Sequence, residues 1–349
     1  MVKTGYRMPA EWHPHSATLL HWPSNRETWP GERLAAVESI YLELIEILHR
    51  YEPIVLLVSP GKTDYVEEIL QLSRFERSEI HVLTYPVDDV WVRDCGPIFV
   101  ETGEKAISDY VITDWEYNAW GGKYPPYDSD NKVPSFIARK FQIPHMQTGM
   151  VLEGGAIETN GKGVFLTTKS VLLNPNRNSN LDKTQIERKL HDYLGAEKII
   201  WLSKGLAGDD TDGHIDDLAR FIGERKILTT LPENQNDINY PVLFENLQIL
   251  KEATDQEGNS FEIEVLPQPQ TITHEATIDG SVHVPATYLN FYIANGVVLV
   301  PIYDEANDEA ILNKFREYFP DRDICGISCS DLVWGQGSIH CITQQLYGL

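Results

Sequence analysis

The stretch EGGAIETNGKGVFLTT, residues 153–168, decides the fold because its design recurs along the chain. A polar residue opens it, and an apolar strand, a tight turn and a second apolar strand follow. The same design occurs in DCGPIFVETGEKAISDY (94–110), HIDDLARFIGERKILTT (214–230) and YLNFYIANGVVLVPIY (288–303), and GQGSIHCITQQLYGL (335–349) is half a copy. Short apolar runs on either side of a turn are typical of β-hairpins, so we expect a hairpin in each copy.

The turns of these hairpins contain residues that suit a tight reversal of the chain. Thr102-Gly103, Asn160-Gly161 and Asn295-Gly296 are expected to supply the positive φ that tight hairpins require. Gly223 begins the remaining turn. The agreement between turn residues and apolar runs favours a true repeat over coincidence.

Segments with helical periodicity lie between the hairpins, at 32–50, 181–194, 241–253 and 306–319. Short apolar strands are predicted at Ile54–Val58, Ile80–Tyr85, Lys198–Leu202 and Phe261–Leu266. The repeated unit is therefore strand, turn, strand, helix, strand. Its spacing is irregular, roughly 60 residues, which is longer than the periods of common solenoids.

Only four and a half hairpins are visible, and the missing half lies at the other end of the chain, where residues 17–22 form a short apolar strand. Pairing this strand with the last one would close a ring and remove exposed sheet edges. We therefore predict an α/β fold: one closed, propeller-like domain over residues 1–349 with about five pseudo-repeats. The alternative is an ordinary open α/β sheet in which the hairpins are coincidental.

The composition limits the possible functions. The net charge of −23 argues against binding to nucleic acid or to an anionic membrane surface, and it favours a small cationic substrate. Acidity that only maintains solubility is the simpler alternative.

The chain has no apolar run long enough to span a membrane, and Met1-Val2-Lys3-Thr4-Gly5 lacks the apolar core of a signal peptide, so we expect a cytoplasmic protein. Its four cysteines are expected to be free thiols, and Cys325 and Cys329 lack the partners of a zinc site.

The residues that open the copies are candidates for catalysis. They are Asp94, Glu153, His214, Asp216 and Cys341. If the copies surround one axis, a thiol, an imidazole and three carboxylates meet there, and this set suits attack on a cationic carbon. His214 and Asp216 are expected on one face of a strand, and Cys95 on the opposite side of its strand from Asp94.

Each of these residues also has a simpler interpretation. Cys341 could be a buried structural thiol, Asp94 the partner of Arg93 in an ion pair, and Glu153 part of a simple turn. The acidic stretch at 208–217 could be a solvated loop, or His214 and its aspartates could bind a metal ion. The loop at 174–178, NPNRN, suggests the neighbourhood of a pocket without indicating a role.

The motifs together resemble one protein family. WVRDCGPIFV (91–100), EGGAIETNGKG (153–163), GDDTDGHIDD (208–217) and GSIHCITQQ (337–345) are similar to the motifs of agmatine deiminases, as is MPAEWHPHSATLLHWP (8–23). The resemblance covers essentially the whole chain. It implies the five-bladed pseudo-symmetric α/β propeller (pentein) of the guanidine-modifying superfamily. It also implies hydrolysis of agmatine to N-carbamoylputrescine and ammonia, a step towards putrescine, with no metal or organic cofactor.

The resemblance also implies roles for residues. Cys341 is the expected nucleophile, His214 the acid and base, and Glu153 the residue that orients His214, while Asp94 and Asp216 grip the guanidinium. Asp210 and Trp91 are candidates for binding the substrate ammonium. Where the family commonly has Gly-Gly-Asn before Ile-His-Cys, this chain has Gln336-Gly337-Ser338, which affects a hydrogen bond near the nucleophile. A homo-oligomer is compatible with the sequence.

Three other functions stay open. The enzyme could act on another guanidine, namely free arginine, a methylated arginine or peptidyl-arginine. It could be a metal-dependent hydrolase that uses His214 and the aspartates. It could also bind polyamines without catalysis, in which case replacing Cys341 would leave its function intact.

Overall fold

A computed structural model gives the fold, and it describes residues 5–73, 76–103, 108–269, 277, 280–303 and 306–349. The tip of the first predicted hairpin, 104–107, and residues 1–4 of the expected N-terminus lie outside the described residues.

The strands are short and recur along the whole chain. They are β1 (Ala17–His21), β2 (Ile54–Val58), β3 (Ile80–Thr84), β4 (Ile98–Glu101), β5 (Tyr110–Glu116), β6 (His145–Val151), β7 (Glu158–Thr159), β8 (Val164–Thr168), β9 (Lys198–Leu202), β10 (Ala219–Gly223), β11 (Lys226–Thr230), β12 (Glu262–Leu266), β13 (Tyr292–Ala294), β14 (Val297–Ile302), β15 (Asp323–Ser328) and β16 (Gln344–Leu346).

The helices alternate with these strands. They are α1 (Arg33–Leu48), α2 (Thr63–Leu72), α3 (Val92–Cys95), α4 (Ala119–Gly122), α5 (Val133–Phe141), α6 (Lys169–Leu172), α7 (Pro175–Asn178), α8 (Lys183–Leu194), α9 (Tyr240–Glu252) and α10 (Asp308–Tyr318). Single turns of 3-10 helix occur at Asp130–Lys132, Gly154–Ala156, Ile215–Asp217 and Val333–Gly335. Among the described residues, no helix combines the length and apolar character needed to cross a bilayer.

In the described part of the chain the strands form five small sheets, and each contains the same pairings. An antiparallel hairpin, such as β7 with β8, is extended by a parallel strand, here β9. A helix connects the two parallel strands, and the apolar side of that helix is buried against its sheet, as with Ile186, Leu190 and Leu194 of α8. The predicted unit of strand, turn, strand, helix, strand is therefore confirmed.

The fifth sheet joins the two ends of the chain. β16 pairs antiparallel with β1, with Ala17 opposite Leu346 and Leu19 opposite Gln344. β1 in turn pairs parallel with β2, which completes the fifth repeat and adds β3 at its edge. The predicted ring with five pseudo-repeats is confirmed, and closure is made by backbone hydrogen bonds between the first and last strands.

The first strands of neighbouring repeats are held together by buried side chains. The Arg220 guanidinium on β10 donates to Glu158 of β7 at 3.0 Å and to the carbonyl of Phe291, next to β13, at 2.7 Å. Gln344 of β16 donates to the carbonyl of Pro97, beside β4, at 2.7 Å. These contacts place the starts of the repeats next to one another.

Three local predictions were wrong. His214 directly precedes, and Asp216 lies in, the 3-10 turn at Ile215–Asp217 before β10, so neither is on a strand. Cys95 ends the short helix α3 and is not on a strand either. Of the predicted turn glycines, Gly161 (φ 71°) and Gly296 (φ 82°) have positive φ, whereas Gly103 does not. The apolar pattern locates the strands correctly, but it does not show that a helical turn comes before them.

Candidate active site

A cavity of about 560 Å³ opens where the repeats begin. Its wall combines aromatic rings with carboxylates. The rings are Trp91, Tyr117, Trp120, Tyr124 and Tyr127, and the carboxylates include Asp88, Asp89, Asp94, Asp130 and Asp210. Cys341 also lines it. Such a wall suits a ligand that is both cationic and partly apolar.

The predicted catalytic residues lie in the short turns that precede the first strand of each repeat. Asp94 is on α3, Glu153 caps the turn at Gly154–Ala156, and His214 caps the turn that contains Asp216. Cys341 lies just before β16. All five side chains are buried, which strengthens the interactions between their charges.

Three of these side chains surround one point beside the backbone of Gly155. A Cβ atom on Gly155 would lie 2.6 Å from His214 Nδ1, 2.7 Å from Asp94 Oδ1 and 3.2 Å from Asp216 Oδ2. His214 Nδ1 and Asp94 Oδ1 are 3.6 Å apart. Only glycine fits here, because any side chain would displace the imidazole or a carboxylate.

Asp94 is fixed by two donors from other parts of the ring. The backbone N–H of Gly155 donates to Oδ1 and the indole N–H of Trp120 donates to Oδ2, both at 3.0 Å. Burial raises the pKa of Asp94 to about 6, although the nearby His214 charge opposes this. The carboxylate form therefore predominates near neutral pH and is lost in mild acid.

Asp216 has a different environment. His340 Nδ1 lies 2.7 Å from Asp216 Oδ2, and His340 Nε2 lies 2.7 Å from Glu11 Oε2. Burial alone would raise the pKa of Asp216, but the hydrogen bond and charge of His340 outweigh it, so the pKa is lowered. Asp216 Oδ1 is buried and has no hydrogen-bond partner among the described residues.

The thiol of Cys341 lies between an amide and a carboxylate. Asn290 Nδ2 donates to the sulfur at 3.2 Å, and Asp216 Oδ2 is 3.9 Å from it. Burial and the charges of Asp216, Asp217 and Asp94 raise the pKa of Cys341 well above its usual value. The unliganded site therefore holds a neutral thiol.

The Ser338 position, where the chain departs from the family motif, acts through its backbone. A backbone hydrogen bond from Ser338 lowers the pKa of Cys341 and so partly opposes the carboxylates. The Ser338 hydroxyl is instead 3.4 Å from the hydroxyl of Tyr303.

His214 is positioned by hydrogen bonds of its backbone N–H, and its buried ring lies near several carboxylate charges. Its N–H donates to Thr211 Oγ1 at 3.1 Å and to Asp209 Oδ2 at 3.2 Å. Burial would lower the pKa of His214, but the charges of Asp94, Asp216, Glu153 and Asp209 raise it overall. The imidazolium is thus favoured. His214 Nε2 has no hydrogen-bond partner among the described residues.

Glu153 contacts a partner that the sequence did not identify. Arg177 of α7 donates from Nε to Glu153 Oε1 at 2.5 Å and from a terminal nitrogen to Asp212 Oδ2 at 2.6 Å. The other oxygen, Glu153 Oε2, is buried without a partner in the described part of the chain. The charge of Glu153 raises the pKa of His214, while Arg177 fixes the position of Glu153.

Asp210 and Trp91 both line the cavity that Cys341 also lines. Tyr124 donates its hydroxyl to Asp210 Oδ2 at 2.6 Å, and Lys123 donates to the Asp210 carbonyl. Trp91 packs edge-on against Trp120, with ring centroids 6.4 Å apart. Both residues predicted to bind a substrate ammonium therefore lie in the cavity wall.

Three supporting residues were missed in the sequence, and two had a usable signal. Asn290 is the third residue of the copy at 288–303, as Asp216 is of the copy at 214–230, so its repeat position could have identified it. Arg177 is the one cation in the NPNRN loop. His340 adjoins Cys341, but its bonds to Asp216 and Glu11 depend on distant parts of the chain and left no local signal.

The alternative of a metal ion bound by His214 and the aspartates has no support in the geometry. Among the described residues, these side chains do not bring three ligand atoms within 4.8 Å of one another. The four cysteines are free, as predicted.

Known proteins share this sequence and fold. Residues 7–346 match the family described as Porphyromonas-type peptidyl-arginine deiminase. The agmatine deiminase of Pseudomonas syringae pv. tomato is 34% identical over 361 residues, which cover 98% of this chain and 95% of that protein. The solved agmatine deiminase of Enterococcus faecalis has a TM-score of 0.90 at 33% identity, with 98% of this chain and 96% of that one covered. For the C. jejuni agmatine deiminase with substrate bound, the TM-score is 0.87 at 31% identity, with 99% and 97% covered. The resemblance predicted from the motifs is confirmed.

Proposed function

The chain belongs to the Porphyromonas-type peptidyl-arginine deiminase family, and from this premise we propose that it is an agmatine deiminase. It is a hydrolase of C–N bonds in linear amidines, and it converts agmatine to N-carbamoylputrescine and ammonia. Curated and solved agmatine deiminases that match nearly the whole chain support this substrate.

One observation supports the chemistry above all. Three polar atoms in the same site, Asp216 Oδ1, Glu153 Oε2 and His214 Nε2, are buried without hydrogen-bond partners among the described residues. Unpaired buried polar atoms are costly, and a protein retains them where a ligand or reaction uses them. A planar guanidinium offers an N–H donor to Asp216 Oδ1.

Asp94 and Asp216 are proposed to hold the guanidinium. Charge-assisted hydrogen bonds from its N–H groups to two carboxylates would fix its plane and place its central carbon near the thiol. Asp94 is already positioned by Gly155 and Trp120, and Asp216 by His340. The site is thus preorganised for the cation and does not need to rearrange around it.

With the cation bound, the Cys341 thiol loses its proton to solvent in the cavity that it lines. The thiolate then adds to the central carbon, forming a C–S bond and a tetrahedral adduct. Asn290, 3.2 Å from the sulfur, would stabilise the thiolate by its N–H. His214 gives a proton to the nitrogen that leaves, the C–N bond breaks, and ammonia departs. The product of this step is a covalent S-alkylthiouronium on Cys341.

Water completes the reaction. Now neutral, His214 accepts a proton from water, which attacks the same carbon. The C–S bond of this adduct then breaks and its hydroxyl proton passes to solvent, which releases the neutral ureido product and the thiolate. Glu153, fixed by Arg177, stabilises His214 in its protonated state.

The cavity wall favours agmatine over arginine. Among the described lining residues, Lys123 is the only Lys or Arg, and it already pairs with Asp212 at 3.0 Å. The carboxylate of free arginine would thus face other carboxylates, whereas the ammonium of agmatine would face Asp210 and the Trp91 ring. Deimination of free or peptidyl arginine is the second candidate, because the family description names peptidyl-arginine.

Product analysis with agmatine and with arginine tests this proposal. We expect ammonia and N-carbamoylputrescine from agmatine, and a kcat/KM for arginine lower by at least about 100-fold, because an unpaired charge in the pocket is expensive. Cys341→Ser should abolish turnover, and intact-mass spectrometry of the quenched wild type should detect an adduct confined to Cys341. Cys329→Ser, at a buried thiol outside the site, is the matched control. Equal rates with arginine, or an active Cys341→Ser variant, would contradict the proposal.

Substrate binding is also expected to ionise the thiol. The carboxylates and burial raise the pKa of Cys341 in the free enzyme, and a bound guanidinium cancels their charge, so the pKa should fall. Mass-resolved alkylation of Cys341 against pH, with and without an unreactive alkylguanidinium too small to cover the sulfur, measures this. An unchanged titration midpoint would show that the cation does not activate the thiol.

A further inference from the structure

Behind the cavity wall, three side chains from separate elements meet in the protein interior. His21 ends β1, Cys95 ends α3, and Asp130 begins the 3-10 turn before α5. A ring nitrogen of His21, the sulfur of Cys95 and a carboxylate oxygen of Asp130 all lie within 4.8 Å of one another. Their exposures are 0%, 3% and 2%. None of them has a role in the proposed deiminase reaction.

An imidazole, a thiol and a carboxylate are the ligand types that zinc takes in proteins. Bonds of about 2.0–2.3 Å around a tetrahedral ion would place ligand atoms roughly 3.3–3.8 Å apart. Because the ligand atoms are at most 4.8 Å apart, binding needs a contraction of at most about 1.5 Å, within the range of side-chain rotation. We propose that His21, Cys95 and Asp130 bind a divalent ion of the zinc type.

A second, independent observation comes from the hydrogen bonds of His21. Its Nδ1 donates to the backbone carbonyl of Asp89 at 2.9 Å, and this bond fixes the tautomer of the neutral ring. The lone pair is then on Nε2, which is buried and has no hydrogen-bond partner among the described residues. The ring nitrogen 4.0 Å from Asp130 Oδ1 is Nδ1, so binding through Nε2 also requires side-chain rotation. A carbonyl bond to one ring nitrogen that leaves the other free is the usual arrangement for a metal-binding histidine.

The surrounding charge also favours a cation. Asp130 accepts the backbone N–H groups of Asp88 and Asp89, at 2.9 and 3.0 Å. Asp89 accepts from Asn25 at 3.1 Å and from Thr28 at 2.6 Å. In the part of the chain that the structure describes, no Lys or Arg forms an ion pair with these aspartates. A divalent ion would balance the Asp130 carboxylate and the Cys95 thiolate that binding creates.

The site would be connected to the cavity without being part of the reaction centre. Asp130 also lines the cavity, so solvent there can supply the fourth ligand. Cys95 directly follows Asp94 on α3, so an ion on Cys95 would fix the element that carries a guanidinium-binding carboxylate. Because the ion binds the folded chain only, it should also raise the thermal unfolding midpoint.

Cobalt binding tests the site directly, since Co²⁺ bound by a thiolate gives a sulfur-to-metal absorption band. All proteins carry Cys341→Ser, which removes the thiol in the cavity wall. On this background we expect one Co²⁺ per chain with that band, displacement by Zn²⁺, and a higher unfolding midpoint with Zn²⁺. Cys95→Ser should lose the band, and His21→Ala should weaken binding by at least about tenfold, a loss that even outer-shell partners of metal sites can cause.

Cys329→Ser is the matched control, because Cys329 is an equally buried thiol outside the cluster, and it should keep both the band and the Zn²⁺ effect. Circular dichroism establishes that each variant is folded. If a His21 variant does not fold, Asp130→Asn provides the second test and should likewise weaken binding. A folded parent that binds no Co²⁺, or a band that survives Cys95→Ser, would overturn the proposal.

Discussion

At the scale of single residues, two buried carboxylates a few ångströms apart acquire opposite pKa shifts. Burial raises the pKa of Asp94 to about 6, whereas the hydrogen bond and charge of His340 lower that of Asp216 despite its burial. Both face the same imidazole and thiol, so the difference comes from their other partners. Of these two, Asp94 is therefore the carboxylate that titrates at about pH 6, whereas Asp216 is already ionised there.

The titration of Asp94 should set the acid limb of the pH profile. Only the carboxylate can accept guanidinium N–H groups, so kcat/KM for agmatine should fall as the pH drops through about 6. The indole of Trp120 stabilises the charged form of Asp94 and so lowers its pKa. Trp120→Phe should therefore move the acid limb to higher pH, by about half a pH unit or more for a lost hydrogen bond.

Trp115→Phe is the control for this shift, because Trp115 is also buried but donates to Thr113, away from the site. It should leave the acid limb in place. The same limb in Trp120→Phe as in the wild type would mean that Asp94 does not control it.

At the scale of elements, the short turn before each first strand is the structure that carries the chemistry. The sequence predicted the hairpins and the ring because strand, turn and helix patterns are local signals. It also predicted Asp94, Glu153, His214, Asp216 and Cys341 from their shared position in the repeat. It failed on the conformation of those turns, since His214 and Asp216 were placed on a strand, whereas Asp216 lies in a helical turn and His214 directly precedes it.

The remaining misses have a common physical cause. The bonds of Arg177 to Glu153 and of His340 to Glu11 join residues far apart in the chain, and no periodicity encodes such contacts. Asn290 and Arg177 themselves were visible, Asn290 from its place in the repeat and Arg177 as the one cation of the NPNRN loop, although their partners were not.

Gly155 tests how tightly the turn at Gly154–Ala156 positions the catalytic groups. Gly155→Ala would place a methyl group 2.6 Å from His214 Nδ1 and 2.7 Å from Asp94 Oδ1, so at least one must move. Displacement of a reacting group by about 1 Å can cost about 100-fold, and we expect kcat/KM to fall by at least that factor. The thermal unfolding midpoint should also fall, because overpacking a buried site typically costs about 1–3 kcal/mol, although φ at Gly155 is not in the left-handed region and adds no backbone strain.

Gly223→Ala is the matched control. Gly223 ends β10, its φ is also outside the left-handed region, and the nearest atom to an added Cβ is Lys226 Cβ at 3.8 Å. This variant should keep both activity and stability. Normal kinetics for Gly155→Ala would mean that the observed packing is not needed for catalysis.

At the scale of the whole molecule, a buried network of charges ties the repeats together beneath the site. Glu11 Oε1 accepts from Arg220 at 2.9 Å, and Glu11 Oε2 accepts from Arg93 at 3.3 Å and faces His340 at 2.7 Å. Arg220 also binds Glu158. That residues 1–349 form a single domain stays a prediction, and the pairing of β1 with β16 together with this network supports it.

The two acidic partners of Arg220 differ in their response to burial. Burial raises the pKa of Glu158 overall, whereas for Glu11 the charges of Arg220, His340 and Arg93 outweigh burial and lower the pKa well below its usual value. Since the folded pKa of Glu11 is lowered, its ion pairs stabilise the fold above the pKa of an unfolded glutamate. That stability is lost as the pH falls through the lower, folded pKa.

Removing Arg220 should therefore destabilise the whole ring and make it more sensitive to acid. Arg220→Met would leave Glu11 and Glu158 short of a buried partner and the carbonyls of Leu289 and Phe291 without this donor, at a cost of roughly 3–5 kcal/mol. With less compensation for burial, the pKa of Glu11 should rise, so stability should be lost at a higher pH than in the wild type.

Lys162→Met is the control, because it removes an exposed ion pair with Glu224 instead, and it should cost at most about 1 kcal/mol. Calorimetry measures the unfolding temperature of both variants at pH values from about 4 to about 8, a range that spans the carboxyl titrations. If Arg220→Met unfolds at the same temperature as Lys162→Met throughout, the central network does not hold the five repeats together, and closure by β1 and β16 must suffice.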